Sequence, residues 1–454
     1  MSNRESILAD MTASLRPWKL PRQTTYIFKN ANVVDTAAGV IIPNRRVKIS
    51  NGFIEFVKLT TLSHGNEQVV VIDLAGRYLC PGLIDCHVHL SAVPGGPGLL
   101  GTEPGADPAA VHLKQPFLCH QMLSRGFTAV RDMGGAQLAL KQAIENDVFP
   151  GPRLFICDKG LSPTGGPGDK LQFNMAHFSC CAFQGDSTTT VNGVSECMRV
   201  AREQLRDGAD FIKIMVGDGP GCADAGYTTE NIGRAQFTAE EVRAIVDVAK
   251  ANRTSVYAYA HSPGAIRLAV ENGVKGIEHG TLIDKQTARY MGEKGVCFTP
   301  TLIAYAGNES TVAEPPSYAT GVMNSMMLNQ ITATLWHAHD ARIKMCHGSD
   351  LLGPFQRYQS REFGIKAAVL DSKTVLQGAT VHAAEMLGKG DDLGQVKEDF
   401  AADLLVLNEN PLKDVTILAE PEKHILAVIK NGRVCVSRWS KLPVDFGVQQ
   451  TMIE

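Results

Sequence analysis

At 454 residues, 44% hydrophobic and 20% charged, the chain can bury a large core and is neither disordered nor fibrous in composition. A formal net charge of −3 gives no basic footprint for nucleic acid or for an anionic membrane. The eleven cysteines form no CxxC pair, and no run of about 18 apolar residues exists. A soluble, cytoplasmic protein with reduced thiols is therefore expected.

In chain order, residues 1–24 read as a loose leader without the apolar centre of a signal peptide. From Thr25 the text becomes β-like: TYIFKNANVVD, VKISNGFIEFV and QVVVIDLAGRYL are β-branched runs separated by Asn/Gly turns. The same style returns near the end as DLLVLNENP and HILAVIKNGRVCV. Residues 25–80 and 396–445 are thus expected to build one small composite β-sandwich domain. Residues 81–395 have a different grammar, with short apolar runs alternating with amphipathic helical text, as in repeated βα units. Eight such runs are present: LIDCHVHL, FTAVRDMG, RLFICDKG, FIKIMVGDG, SVYAYAHS, GIEHG, VCFTPT and IKMCHGSD. Thr238 and Glu241 form a capping-box signature for the helical text at 238–252. Eight βα units predict an α/β protein with a (β/α)8 TIM-type barrel, whose chemistry sits at the C-terminal strand ends.

Polar residues collect at those ends: His87, His89, Asp132, Lys213, His261, His279 and Asp350. His87 and His89 are two apart, so on a strand both imidazoles leave the same face and can grip one divalent metal. The plain alternative is a pair of surface histidines near a turn. Asp350 would lie beside the first strand in a closed barrel, where it can ligate a metal and accept a proton from water. It could instead cap the next helix. His279 is a candidate imidazole ligand, or else a hydrogen-bonded core histidine. Lys213, flanked by large apolar residues, is costly to bury unless paired or modified. A metal-bridging carbamate, a Schiff-base lysine and an internal salt bridge are its three solutions.

These motifs resemble the amidohydrolase superfamily, in particular its imidazolonepropionase-like branch, which includes Xaa-Pro and Xaa-Arg dipeptidases and a fungal ochratoxin-hydrolysing amidase. The likeness runs from PGLIDCHVH through FTAVRDMGG, the lysine strand with GDGPG, QFTAEEVRAIVDVA, GVKGIEHG and GSDLLGP to the ATVHAAEMLG…DLGQVKEDFAADLLVLNENPLKDV tail. The resemblance implies that His87, His89 and Asp350 bind the more buried metal. Carboxylated Lys213 would bridge to a second ion held by His279, with zinc the expected metal at one or two ions per chain. A metal-activated water would attack an amide carbonyl of a small N-acyl amino acid or dipeptide-like substrate, and Asp350 would pass the proton to the leaving nitrogen. A homo-oligomer is expected by the same analogy.

Two positions depart from the branch pattern. Tyr259 stands where the first histidine of a strand-5 His-x-His would lie, leaving only His261, and Pro167 replaces a histidine in the Gly-rich loop. Tyr259 as a phenolate, or His261, could complete the second site. Otherwise a single ion would remain, suited to decarboxylase, lyase or isomerase chemistry on a carboxylated metabolite. A non-catalytic relative is the third account. Arg131, Tyr227, Tyr259 and His261 are candidate substrate contacts. His337 and His339 sit about 200° apart on helical text and read as packing residues. His347 is a candidate replacement ligand. Residues 92–108 read as a lid-like loop after the first strand.

Overall fold

The computed structural model describes residues 23–59, 69–95, 108–169, 187–217, 235–305 and 321–445, together with Trp18 and Leu20. Tyr227, the GDGPG turn beyond Gly217 and most of the 92–108 loop lie outside the described residues.

Five N-terminal strands, β1 (Thr25–Asp35), β2 (Val40–Ser50), β3 (Phe53–Lys58), β4 (Val69–Asp73) and β5 (Tyr78–Pro81), are followed by β6 (Leu83–Val88), the His-x-His strand. Late in the chain come β15 (Leu404–Leu407), β16 (Ile425–Lys430) and β17 (Arg433–Ser437). The two ends of the chain meet in one mixed sheet of order β17-β16-β15-β5-β1-β2-β3, with β4 paired to β1. Its inner face carries Phe28, Val47, Ile49, Ile54, Leu79, Leu404 and Val406 in one apolar cluster.

β5 passes into β6 through Gly82, whose amide donates to the Asp403 carbonyl at 2.8 Å. A Cβ there would sit 2.0 Å from Thr128 Oγ1, so only glycine lets the chain cross this closely.

The middle of the chain holds parallel strands. β6, β7 (Phe127–Asp132) and β8 (Arg153–Ile156) form one sheet. The other contains β9 (Gly160–Ser162), β10 (Thr188–Thr190), β11 (Ile212–Met215), β12 (Val256–Ala260), β13 (Gly276–His279) and β14 (Cys297–Thr299), in the order β10-β9-β11-β12-β13-β14. Helices lie between them. The clearest is α1 (Ala239–Ala251), where Thr238 and Glu241 make both halves of the expected capping box. It buries Val242, Ile245, Val246, Val248 and Ala249, the stripe a 3.6-residue period demands.

The eighth expected strand is the main departure. Residues 343–350 carry only one parallel bridge, Met345 to Phe298. The cause is local. A Cβ at Gly348 would meet Thr299 Cγ2 at 2.3 Å, and Asp350 turns into the left-handed region at φ +50. The segment still hydrogen-bonds on both sides. Cys346 N donates to Phe298 O at 2.7 Å, Cys86 N to His347 O at 2.8 Å and Asp350 N to His87 O at 2.8 Å. On the far side, Asp210 N, just before β11, donates to Ile156 O of β8 at 2.7 Å.

Candidate active site

His87 on β6 and His89 just past it, Lys213 on β11, Tyr259 on β12, His279 at the end of β13 and Asp350 at the end of the irregular 343–350 segment surround one cavity of about 220 Å³. Met133, Pro167, Met215 and Leu352 supply apolar wall, and Ser187 and Thr188 polar edge. The ligating atoms of His87, His89 and Asp350 all lie within 4.8 Å of one another. Asp350 Oδ1 is 3.4 Å from His87 Nε2 and 3.3 Å from His89 Nε2. Tetrahedral bonds of about 2.1 Å place neighbouring donor atoms about 3.4 Å apart, so this triad fits a divalent ion such as zinc.

The other ring nitrogens show the same preparation. His89 Nδ1 donates to the Gly134 carbonyl at 3.0 Å, and because a carbonyl only accepts, the neutral ring would carry its lone pair on Nε2. His87 Nδ1 lies 2.8 Å from Glu278 Oε2, while His87 Nε2 is buried without a hydrogen-bond partner. His279 Nδ1 meets Thr301 Oγ1 at 2.7 Å, and His261 Nδ1 meets Thr281 Oγ1 at 2.8 Å. Outer partners of this kind fix the tautomer and aim of metal-binding imidazoles. His261 Nε2 is likewise buried without a partner, and its ring stacks on His279 at 5.2 Å. Tyr259 packs edge-on to both rings, at 4.6 and 4.7 Å.

Electrostatics follow burial. Loss of solvent holds His87 and His279 well below the ordinary histidine value and His261 at about 3, so all three stay neutral, as ligands must. Burial also lowers Lys213, with Asp350 opposing the shift. Among the described residues Lys213 makes no ion pair, which leaves its internal salt-bridge explanation without support. For Asp350, burial pushes upward, but His87 and His89 overcome it and hold the carboxyl at about 2. His279 and Asp350 both take left-handed backbone, at φ +71 and +50, a conformation that costs a non-glycine residue roughly 1–2 kcal/mol. For His279 the turn falls at the end of β13, and for Asp350 at the end of the irregular 343–350 segment; both side chains reach the cavity there.

Three expectations need correction. Arg131 is not a substrate contact. It is fully buried, donating through Nη2 to Glu278 at 2.6 Å and through Nε to the Cys86 carbonyl at 2.6 Å. Asp132 turns away from the cavity and braces backbone, accepting from Leu90, Gly134 and Ala136 amides. His347 replaces no ligand, since its ring is packed between Phe127 at 5.3 Å and Phe363 at 4.4 Å. His337 and His339 lie on α2 (Gly321–Asp340), away from the cavity.

Glu278 and Asp85 were missed. Asp85 accepts from the His87 amide, from the amide and hydroxyl of Ser349 and from Gln359, tying the two ligand-bearing segments together. A signal existed for both: each is a carboxylate set inside an apolar strand run, directly beside or two before a histidine.

Comparison with known proteins agrees with this geometry. Residues 78–435 match the model of the amidohydrolase family. The chain is 26% identical over 434 residues to ochratoxinase of Aspergillus niger, covering 89% of this chain and 87% of the relative. It is 24% identical over 374 residues to imidazolonepropionase of Vibrio cholerae, covering 75% and 81%. A prolidase solved in complex with N-methylphosphonate-L-proline superposes with a TM-score of 0.82 at 35% identity, covering 91% of this chain and all of that one. The chain belongs to the amidohydrolase family. It fits the imidazolonepropionase-like branch, and it is a hydrolase acting on carbon–nitrogen bonds.

Proposed function

We propose that the protein is a metal-dependent amidase or dipeptidase for small N-acyl amino acids or dipeptide-like substrates, built on a closed (β/α)8 barrel. The hydrogen bonds that residues 343–350 and Asp210 make across both gaps between the parallel sheets support closure. In the same reading 81–395 is the catalytic domain, and 25–80 with 396–445 the composite β-sandwich domain. The observation that carries the function is the convergence of His87 Nε2, His89 Nε2 and Asp350 Oδ1, with both imidazoles fixed from their other nitrogen.

His87, His89 and Asp350 would hold one ion, and His279 with a carboxylated Lys213 would serve a second. A bound ion of this class supplies Lewis acidity to the carbonyl and acidifies water. Asp350, an unprotonated carboxylate at the cavity edge, takes the proton from the attacking water and delivers it to the departing nitrogen. Met133, Met215 and Leu352 give the cavity an apolar wall that would shelter part of a bound substrate from bulk solvent. Tyr259 leaves the second site one imidazole short, and His261, whose Nε2 is buried without a hydrogen-bond partner and whose ring stacks on His279, could replace it. Relatives that hydrolyse amide and peptide bonds favour hydrolysis over the decarboxylase, lyase or isomerase alternative.

The test is elemental mass spectrometry on protein purified without chelator, beside assays of N-acyl amino acids and dipeptides with and without chelation. About one or two equivalents of zinc and chelator-sensitive hydrolysis are expected. Metal-free protein with undiminished hydrolysis would overturn the proposal.

A further inference from the structure

We infer that Glu278, braced by Arg131, is a positioning residue that makes His87 a ligand by holding the proton on its Nδ1. The inference rests on the metal reading above and adds to it a part that touches neither metal nor substrate. His87, Glu278 and Arg131 are all fully buried. Glu278 uses its two oxygens separately, Oε2 toward His87 Nδ1 at 2.8 Å and Oε1 toward Arg131 Nη2 at 2.6 Å.

Arg131 closes the loop, because its Nε donates at 2.6 Å to the carbonyl of Cys86, the residue preceding His87. One guanidinium therefore clamps both the backbone that carries the ring and the carboxylate that grips it. Arg131 cannot shed its proton, and a buried charge needs a counter-charge. Among the described residues Glu278 is the one carboxylate paired with it. The guanidinium is otherwise flanked by rings, with Tyr257 at 4.3 Å and Phe211 at 5.4 Å. Burial pushes the Glu278 carboxyl upward, and the Arg131 guanidinium opposes it. Kept ionised by that pairing, Glu278 can only accept, so the imidazole proton sits on Nδ1 and the lone pair on Nε2, which faces Asp350.

Two measurements test this. Zinc affinity, read by competition with a chromophoric chelator, is compared for wild type, E278Q and E278D, alongside melting of each metal-free protein. E278Q strands the Arg131 charge and can unfold the chain. E278D keeps the charge while drawing the carboxylate back from His87, and it is the deciding variant. Affinity about 10–100-fold weaker in folded E278D, at a similar metal-free melting temperature, is expected. A merely structural role would lower melting and leave affinity alone.

Nitrogen NMR of 15N-histidine-labelled, metal-free wild type reads the tautomer directly, with the Nδ1–H form expected for His87. Wild-type affinity in folded E278D, or a proton on Nε2, would overturn the inference. Wild type that takes up no zinc would sink the metal reading instead, and the tautomer would still decide what Glu278 does.

Discussion

Asp350 stands 3.3 and 3.4 Å from two imidazoles and shares its cavity with a lysine that burial has pushed toward neutrality. Asp350→Asn keeps the shape and removes the proton acceptor, so kcat should fall about 10²–10⁴-fold. Steady-state kinetics at matched zinc content is the check, and near-wild-type turnover would remove Asp350 from the chemistry. Lys213→Ala should abolish activity, and short carboxylates added with zinc should partly restore it, as expected if a carbamate supplies the missing oxygen ligands. Full activity in Lys213→Ala would exclude that role. At this scale the sequence was informative about which side chains meet at the cavity and silent on their supports. His87, His89, Lys213, His279 and Asp350 were readable because strand period and strand-end position predict where such side chains go. Arg131 was misread because a cation beside a strand end looks the same in sequence whether it faces the cavity or its floor. Only the partner, Glu278, 147 positions away, decides.

At the scale of the element, α1 was predictable because its cap and its apolar stripe are local facts. Thr238→Ala should lower stability by about 0.5–2 kcal/mol, measured by denaturant unfolding, with hydrolysis intact. Residues 343–350 were not predictable as an irregular segment. Their apolar run reads as a strand, yet the close approach of Gly348 to Thr299 and the left-handed turn at Asp350 are set by neighbours. Gly82 is equally constrained. Gly82→Ala should cost about 1–3 kcal/mol through collision with Thr128, and Thr128→Ala on the same chain should return part of it. An unaltered denaturation midpoint in Gly82→Ala would show that the crossing can relax.

For the whole molecule, several buried histidines share one pH response. Burial keeps the folded-state pKa of His87, His261, His279 and His347 below the ordinary 6.5. Below that pH the unfolded chain binds protons that the folded chain refuses, so stability falls with falling pH. The slope is up to about 1.4 kcal/mol per pH unit for each histidine, and it ends only where the folded histidines themselves protonate. Urea unfolding of metal-free protein between about pH 7.5 and 5.5 should show this loss, and His347→Leu should flatten it. An unchanged slope would mean that His347 takes up its proton while folded. The α/β class and the pairing of both chain ends were legible from the change of grammar near residues 81 and 396. The register that brings strands from two sheets to one cavity was not. That register also orders events in time. His87 and Asp350 are 263 positions apart, and β5, which leads into the His-x-His strand, pairs with β15 later still. At roughly 5–20 residues per second, a ribosome takes on the order of 13–50 s to make the intervening chain. For that interval the nascent protein displays two histidines and an unpaired strand edge with nothing to complete them, so closing the cavity is necessarily among the last steps in its folding.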